Sequence, residues 1–280
     1  MDPSGRGQKM QELDVAKIRD FYDSDPQKEW DRHDLYPFEF PITCRHIDRY
    51  ISKGNCSILD IGGGPGRYAF HLAKSGHKVA LLDLSPGNIA YAKAKASELG
   101  ISLSDYIVGN AVDLSGFSGD QFDLVLVLGP LYHLDNTDDR QSCIAEAVRV
   151  LKKGGVALFA FISTYAPIYY TLKNLPEREI LSIARLKELF SEETLIQSKD
   201  DPWFTDAKYV NPTEAGSWVN SLGYKVISVF GAESLLPQSQ YHIQGLGSRK
   251  IEEWTSFGYE MSETVGGVVG SEHLVVVVQK

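Results

Sequence analysis

Apolar runs of strand length alternate with amphipathic stretches from residue 57 onward. The apolar runs are Ser57–Ile61, Lys78–Leu84, Ser104–Val108, Phe122–Leu128 and Val156–Ser163. The intervening stretches of helical composition are Arg67–Ser75, Pro86–Leu99 and Asp138–Leu151. Parallel strands that are covered on both faces are nearly continuously hydrophobic, as these runs are. The alternation therefore predicts an α/β fold in which a doubly wound, mostly parallel sheet carries helices on both faces.

The pattern changes after the fifth apolar run, where residues 165–208 include a charged stretch of helical composition. A minimal sheet between two helical layers has no place for this stretch, so we predict a helical lid inserted after strand 5. The elements expected beyond it are a helix at Thr213–Leu222, a strand at Tyr224–Ser234, a helix at Ser248–Met261 and a strand at His273–Gln279. The last two strands would complete a seven-stranded sheet.

The length of 280 residues and the hydrophobic content of 43% allow a full core, so one elaborated domain is the natural expectation. Residues 1–56 are helical in composition and rich in aromatic side chains, including Tyr22 and Trp30. We predict that residues 1–56 form a helical cap segment. Residues 57–280 are predicted to form the main domain, with the lid at about 165–208.

A glycine-rich turn follows the first predicted strand. Asp60 ends the apolar run, and Gly62, Gly64 and Gly66 follow at alternate positions. Glycine permits a positive φ and leaves no Cβ to obstruct a ligand that lies against the backbone. Open α/β sheets bind ligands at the carboxyl ends of their strands. A nucleotide-like ligand is therefore expected at this turn.

The spacing of residues 64–69 also satisfies the loose Gly-x-Gly-x-x-Gly/Ala pattern of dinucleotide folds, which is a weak signal alone. Pro65, however, removes one backbone donor from the loop that would hold a pyrophosphate. A carboxylate such as Asp60 at the strand end suits a ligand that carries a cationic amino group instead. S-adenosylmethionine is such a ligand, because it has an ammonium and a sulfonium and no phosphate.

These motifs, in this order, resemble the class I S-adenosylmethionine-dependent methyltransferases. The Asp-x-Gly-x-Gly-x-Gly turn, an acid that ends the second strand and a Lys-Lys-Gly-Gly turn before the fifth strand all match the family. The resemblance runs from Ser57 to Ser163 and is expected to extend to Lys280. It implies a Rossmann-like methyltransferase fold, S-adenosylmethionine as cofactor and S-adenosylhomocysteine as product.

The resemblance also implies cofactor contacts for particular residues. In the family, an acid at the position of Asp83 accepts hydrogen bonds from both ribose hydroxyls, and Leu84 follows it. Asn110 and Ala111 correspond to the family's Gly-Asp-Ala segment at the adenine edge, although Asn110 replaces the usual acid. Leu128 and Gly129 correspond to the residues beside the methionine part. The expected cofactor-binding residues are Tyr22, Asp60, Gly62, Gly64, Gly66, Asp83, Leu84, Asn110, Ala111, Leu128 and Gly129.

The end of the fourth predicted strand carries the candidate catalytic side chains. Its sequence Gly-Pro-Leu-Tyr-His-Leu resembles a subgroup of small-molecule methyltransferases, and the resemblance puts Tyr132 and His133 near the transferred methyl group. The unperturbed pKa of a histidine, about 6.5, suits a base that accepts a proton at neutral pH. Arg32 and Arg45 are candidates for binding the methionine carboxylate, and surface ion pairs are their alternative role.

Charge and cysteine content bear on partners. The 28 basic and 37 acidic residues give a formal charge of −9, which is unfavourable for binding nucleic acid. Three cysteines without CxxC spacing indicate neither a disulfide framework nor a metal site. No run has the length of a membrane span and the first residues are polar, so we expect a cytoplasmic protein without a membrane partner, monomeric or homodimeric.

The sequence thus predicts methyl transfer from S-adenosylmethionine to an oxygen or nitrogen of a small molecule, mainly by positioning and desolvation. Two other functions stay open at this point. An NAD-dependent oxidoreductase would use the same fold logic and Asp83, since NAD enzymes put an acid at the same place. A non-catalytic S-adenosylmethionine-binding protein would hold the cofactor without a methyl acceptor.

Overall fold

The secondary structure alternates between strands and helices, as the sequence pattern indicates. The structure, a computed structural model, describes residues 15–51, 54–134, 136–174, 186–187, 189–190, 194–195, 205–236 and 245–280. The helices are α1 (Val15–Ser24), α2 (Pro26–Leu35), α3 (Glu39–Tyr50), α4 (Arg67–Lys74), α5 (Pro86–Leu99), α6 (Thr137–Val150), α7 (Ala166–Asn174), α8 (Ala215–Ser221), α9 (Ser248–Met261) and α10 (Val265–Val269). The strands are β1 (Ser57–Ile61), β2 (Lys78–Asp83), β3 (Asp105–Val108), β4 (Phe122–Val127), β5 (Leu151–Ser163), β6 (Thr194–Leu195), β7 (Ala207–Val210), β8 (Lys225–Gly231) and β9 (His273–Gln279).

One mixed sheet joins these strands. β3, β2, β1, β4 and β5 lie side by side in that order, and all their pairings are parallel. β9 continues the sheet antiparallel to β5, and β8 pairs antiparallel with the other edge of β9. The seven strands predicted from the sequence are therefore all present. The antiparallel addition leaves the carboxyl ends of the parallel strands together at one edge of the sheet.

The apolar strand residues are divided between two cores, one on each face of the sheet. Leu124 and Leu126 of β4 pack into one core with residues of α3, α4 and α5. Val125 and Val127 pack into the other core with residues of α6 and α8. Because successive side chains of a strand point to opposite faces, a strand that serves both cores must be apolar throughout. This explains the continuous hydrophobicity of the runs.

The lid stretch is more complex than predicted. Helix α7 lies in its first part, but β6 pairs antiparallel with β7, so strand occurs where the sequence predicts helix. Ile162 of β5 pairs with His273 on one edge and with Tyr209 of β7 on the other. β7 thus extends the sheet beyond the end of β4. Residues 175–185 and most of 191–204 of the predicted lid lie outside the described residues.

The joint between α6 and β5 also differs from the expected turn. Residues 152–155 belong to the strand, and a register shift against β4 occurs there, because Leu151 pairs with Phe122 while Val156 pairs with Leu124. Gly154 has a φ of 80°, a value that favours glycine. The Lys-Lys-Gly-Gly segment is therefore a bulged start of the strand.

Three helices occupy the described part of the N-terminal segment, which agrees with its helical composition. Asp23 of α1 accepts hydrogen bonds from the Ser85 hydroxyl and the Gly87 amide at the start of α5. Arg49 of α3 forms an ion pair with Glu263, which follows α9. None of the helices in the described ranges has the length and apolar character needed to cross a bilayer. Helices α1 and α3 thus contact the rest of the chain at the start of α5 and just after α9.

Truncation of Phe159 tests the two-core arrangement. This side chain is fully buried in β5, between Val127 of β4 and Val276 of β9. Phe159→Ala removes its apolar contacts and leaves a cavity, so the free energy of unfolding should fall by about 3–5 kcal/mol in urea denaturation. Phe257→Ala, at a side chain that is 43% exposed, is the matched control, with an expected loss of about 1 kcal/mol or less. Equal losses in the two variants would contradict the assignment of Phe159 to the core.

Candidate active site

A cleft of about 1250 Å³, including its open mouth, lies at the carboxyl ends of β1, β2 and β4. Most of the residues predicted from the sequence line it, although their roles stay predictions. They are Tyr22, Asp60, Gly62, Gly64, Asp83, Leu84, Asn110, Ala111, Leu128, Gly129, Tyr132 and His133. Gly66 is not among the lining residues. The residues come from three strand ends, the loop after β3 and helix α1, so they are brought together by the topology of the sheet.

The glycine turn after β1 is shaped by positive φ angles. Gly62, Gly64 and Gly66 have φ values of 65°, 56° and 91°. A Cβ on Gly62 would lie 2.5 Å from Cγ of Pro130, so the turn after β4 requires a bare Cα here. A Cβ on Gly64 would have no protein atom closer than 3.9 Å. A Cβ on Gly66 would instead meet Leu81 and Phe70, at 3.3 Å each, so this glycine serves the packing of α4.

Asp60 carries a buried carboxylate that makes no hydrogen bond of ordinary geometry with the described residues. The residue is 0% exposed. Burial, followed by repulsion from the nearby Asp83, raises the pKa of Asp60 to about 7, although the Ala69 amide lies near enough to oppose the rise. A buried carboxylate of this kind at the wall of a cleft favours a cationic ligand, because the ligand's charge would compensate for the lost hydration.

Asp83 at the end of β2 holds the glycine turn and the start of α5 together. One carboxylate oxygen accepts a hydrogen bond from the Gly64 amide at 2.8 Å. The other accepts from the Ser85 amide at 2.9 Å and from the Asn88 side chain at 3.2 Å. Burial raises the pKa of Asp83 despite these hydrogen bonds. Each carboxylate oxygen has two lone pairs, so the oxygen facing Gly64 can accept a further bond from the cleft.

The turns after β3 and β4 line opposite ends of the cleft, because β2 and β1 lie between these two strands. Oδ1 of Asn110 accepts a hydrogen bond from the Val112 amide at 3.2 Å, which fixes the side chain beside the buried Ala111. The Tyr132 hydroxyl donates to the Leu128 carbonyl at 3.1 Å. A Cβ on Gly129 would lie 3.2 Å from the Gly62 carbonyl oxygen, so the turns after β1 and β4 are in close contact.

His133 has both ring nitrogens engaged. Nδ1 lies 3.2 Å from the carbonyl oxygen of Asp206, and Nε2 lies 2.8 Å from the Tyr22 hydroxyl. Burial lowers the pKa of His133 to about 4, so the ring is neutral near pH 7. A carbonyl oxygen only accepts, so Nδ1 carries the proton and Nε2 accepts from Tyr22. The unperturbed histidine pKa of about 6.5, from which the sequence predicts a base, therefore does not apply to His133.

Lys17 and Asp206 stabilise the position of His133, and no sequence motif indicates either residue. Lys17 of α1 forms an ion pair with the Asp206 carboxylate at 2.7 Å. Asp206 is 3% exposed and directly precedes β7. The residues are separated by 189 positions, so only the fold shows that they meet. Their ion pair fixes the segment whose carbonyl holds His133.

The two arginines considered for carboxylate binding have different surroundings. Arg32 lines the cleft, forms a bidentate pair with Glu39 at 2.7 and 2.9 Å, and bonds Glu29 at 3.1 Å. Two carboxylates therefore already compensate its charge. Arg45 pairs with Glu252 of α9 and does not line the cleft.

Glu39, which pairs with Arg32, also lies beside a second pair of charged side chains. Glu39, Glu233 and His273 offer ligand atoms that all lie within 4.8 Å of one another. Burial alone would lower the pKa of His273, but Glu233 and Glu39 raise it to about 9. Arg32 pairs with Glu39 and His273 pairs with Glu233, so the two cations balance the charges of the two glutamates.

The electrostatics of Asp60 predict a pH-dependent cost to stability. An unfolded aspartate has a pKa of about 3.9, whereas the folded value is about 7. Below about pH 4 both states are protonated. As the pH rises from 4 to 7, only the unfolded state ionises, so stability is lost and stays lost above pH 7. Asp60→Asn removes this loss.

The difference in unfolding free energy between Asp60→Asn and the ligand-free wild type should therefore grow by a few kcal/mol from pH 4 to pH 8 in favour of the variant. Urea denaturation at several pH values measures it. Asp105→Asn, at an exposed residue of β3, is the control substitution of the same kind. A constant difference for Asp60→Asn would show that the carboxylate is not perturbed.

Comparisons with known proteins agree with this architecture. The sequence profile of the methyltransferase domain matches residues 59–159, from β1 into β5. The ubiquinone biosynthesis O-methyltransferase of Pseudomonas entomophila (strain L48) is 25% identical over 229 residues, which are 79% of this chain and 88% of the relative.

Solved structures with the same fold include two S-adenosylmethionine-dependent methyltransferases. The protein from Methanosarcina mazei has a TM-score of 0.56 at 20% identity and covers 84% of this chain and 96% of its own. The protein from Thermotoga maritima has a TM-score of 0.57 at 16% identity and covers 93% of this chain and 99% of its own. The profile match and these relatives support a class I S-adenosylmethionine-dependent methyltransferase, in agreement with the glycine turn and the strand-end acids that line one cleft.

Proposed function

We propose that the protein transfers a methyl group from S-adenosylmethionine to an oxygen or nitrogen of a small molecule in the cleft at the carboxyl ends of β1, β2 and β4. The observation that carries the proposal is the Asp60 carboxylate, which is buried, lacks a hydrogen bond of ordinary geometry and has its pKa raised to about 7 beside an open glycine turn. The amino group of the methionine part is a cation of the kind that this carboxylate needs.

The lining residues support a division of the cleft by ligand chemistry. Asp60 would pair with the ammonium group, next to Leu128 and Gly129 at the methionine part. Asp83 has acceptor capacity left for ribose hydroxyls. Leu84, Asn110 and Ala111 would meet the adenine, and Tyr22 would contact the cofactor from α1. All of these residues line one continuous cleft, which supports the proposal.

The protein's contribution to the reaction is mainly positioning. The sulfonium supplies an electrophilic methyl group when the cofactor is bound. The cleft walls orient the acceptor toward it, and the apolar side chains of Val15 and Ile18 on α1 limit the access of water. Tyr132 is buried with its hydroxyl bound to the Leu128 carbonyl, and burial raises its pKa, so it acts as a neutral wall and donor.

Oxygen is favoured as the methylated atom. The relative from Pseudomonas entomophila is named an O-methyltransferase, and this chain covers 88% of its length. A hydroxyl acceptor loses its proton during the transfer, and the neutral His133 on the cleft wall is the candidate base. An NAD-dependent oxidoreductase is not favoured, because Pro65 interrupts the loop that would hold a pyrophosphate.

The remaining expectations belong to the proposal as well. The formal charge of −9 favours a small-molecule acceptor over nucleic acid. We expect a cytoplasmic protein that is monomeric or homodimeric and works without a membrane partner or a metal ion. The cap segment 1–56, the main domain 57–280 and the lid at about 165–208 are proposed as the units that enclose the acceptor.

Two matched glycine substitutions test the cofactor site. Gly64 and Gly100 have φ values of 56° and 64°, and neither has a protein atom within 3.5 Å of an added Cβ. Gly64→Ala and Gly100→Ala should each lose about 1 kcal/mol of stability through backbone strain. Only Gly64→Ala adds its Cβ in the cleft, so only this variant should bind S-adenosylhomocysteine at least about tenfold more weakly, a loss of ~1.4 kcal/mol.

Isothermal titration calorimetry with S-adenosylhomocysteine and with NADH measures these affinities. Wild type and Gly100→Ala should bind S-adenosylhomocysteine equally, and NADH should give no binding heat. Binding of NADH in preference to S-adenosylhomocysteine would overturn the proposed function. Equal affinities of the two variants would instead move the cofactor away from the glycine turn.

Removal of the His133 imidazole tests its role in turnover. His133→Ala should leave the affinity for S-adenosylhomocysteine nearly intact, because Asp60 and Asp83 are unchanged. Turnover should slow about 100-fold, the usual effect of losing a general base. The assay follows labelled methyl groups from S-adenosylmethionine into a metabolite mixture. His77→Ala, at a buried histidine outside the cleft, is the control and should keep its turnover. Unchanged turnover in His133→Ala would rule out the base.

A further inference from the structure

We propose that the Tyr22 hydroxyl receives the proton of the methyl acceptor and passes its own proton to His133, so that a hydroxyl compound is the acceptor. This inference rests on the proposed function, because it concerns the proton that leaves during methyl transfer. In this proton relay Tyr22 contacts the acceptor, and His133 receives the proton that Tyr22 releases.

The relay follows first from the engagement of both nitrogens of His133. Nδ1 meets the Asp206 carbonyl at 3.2 Å, and Nε2 meets the Tyr22 hydroxyl at 2.8 Å. An acceptor could reach a ring nitrogen directly only by displacing one of these partners. Tyr22 lines the cleft, and its hydroxyl is the group that stands on the side of the imidazole that accepts protons. The proton path to His133 therefore runs through Tyr22.

The direction of the hydrogen bonds suits proton uptake. The Asp206 carbonyl can only accept, so it fixes the proton on Nδ1 and leaves the lone pair on Nε2. The Tyr22 hydroxyl consequently donates to Nε2. Its oxygen has two lone pairs, and these can accept the hydrogen bond of an acceptor hydroxyl. The Tyr22 phenol, the His133 imidazole and the Asp206 carbonyl thus form a hydrogen-bonded chain along which a proton can leave the cleft.

Tyr22 is held in this position from both sides along α1. Lys17 pairs with the Asp206 carboxylate at 2.7 Å, on the side of His133. Asp23 accepts a hydrogen bond from the Gly87 amide at 2.8 Å and another from the Ser85 hydroxyl, on the side of the cofactor cleft. The Tyr22 ring also packs edge to face on the His133 ring, with centroids 5.4 Å apart. The relay is therefore preorganised by contacts that no other part of the proposed chemistry uses.

The step balances as follows. A lone pair of the acceptor oxygen forms the new bond to the methyl carbon, the carbon–sulfur bond breaks, and its electron pair stays on sulfur as a thioether. The acceptor proton moves to the Tyr22 oxygen while the Tyr22 proton moves to Nε2. The products are a methyl ether, S-adenosylhomocysteine and an imidazolium that retains its Nδ1 proton. The positive charge of the sulfonium thus ends on His133.

Two properties of the relay limit the acceptor. Burial raises the pKa of Tyr22 well above its usual value, so a free phenolate does not form and the two protons move together. Burial also lowers the pKa of His133 to about 4, so its neutral imidazole is a weak base. A weak base is most effective with an acidic hydroxyl, and a phenolic hydroxyl has a pKa of about 10. Aromatic hydroxyls are therefore the favoured class.

The test uses catechol as the hydroxyl probe and benzylamine as the amine probe, at saturating S-adenosylmethionine in H₂O and D₂O. Wild-type protein should methylate catechol with a solvent isotope effect of about 2. Tyr22→Phe keeps the ring and loses the hydroxyl, so kcat should fall about 100-fold or more and the isotope effect should shrink. The affinity for S-adenosylhomocysteine should change less than about threefold, since charge contacts are kept.

Tyr91→Phe is the matched control, because the Tyr91 hydroxyl bonds Gln27 outside the cleft. It should behave as wild type. Wild-type kcat in Tyr22→Phe, or a loss of S-adenosylhomocysteine affinity with kcat kept at saturation, would overturn the relay and leave Tyr22 as a cofactor contact. Methylation of benzylamine but not catechol, or of neither while S-adenosylhomocysteine binds, would overturn the acceptor class. Absence of S-adenosylhomocysteine binding would instead refute the proposed function itself.

Discussion

The contact between the turns after β1 and β4 is the constraint on which the site depends. Pro130 lies where a Cβ of Gly62 would be, and Gly129 lies against the Gly62 carbonyl. This approach is open only to residues without a side chain, and the φ of 65° at Gly62 makes the same demand on the backbone. Because the two turns touch, the cleft floor is continuous from the first strand to the fourth. Tyr132 and His133, which follow Pro130, then line the same cleft.

Asp83 shows how one side chain can serve both the fold and the site. Its carboxylate binds amides of the glycine turn and of the α5 start, and this fixes the distance between two ligand-binding segments. A carboxylate at a strand end can hold the start of the next helix or accept hydrogen bonds from ribose hydroxyls. The geometry makes these two roles compatible, because a carboxylate has more lone pairs than the loop uses. Preorganisation of the turn and recognition of a diol can therefore share one group.

Much of the fold is predictable from the sequence because its signals are local. β1, α5, α9 and β9 have the expected bounds, since their apolar periodicity, Pro86 after Ser85 and bounding glycines act within a few residues. The strands in the lid stretch are not predictable in this way. β6 and β7 exist because they pair with each other and with the end of β5, which is a tertiary effect on a segment of helical composition. The site divides likewise: the glycines and strand-end acids follow from spacing, whereas the perturbed pKa of His133 depends on burial by distant residues.

The position of β9 has a consequence for the order of folding. This strand lies between β5 and β8, and both precede it along the chain. During synthesis β8 therefore has no neighbour in the sheet until β9 has left the ribosome, and β5 keeps one open edge over the same period. Open edges of apolar strands pair readily with other chains. The nascent protein is thus most prone to aggregation just before β9 is synthesised. When β9 inserts between β5 and β8, it pairs with both open edges at once.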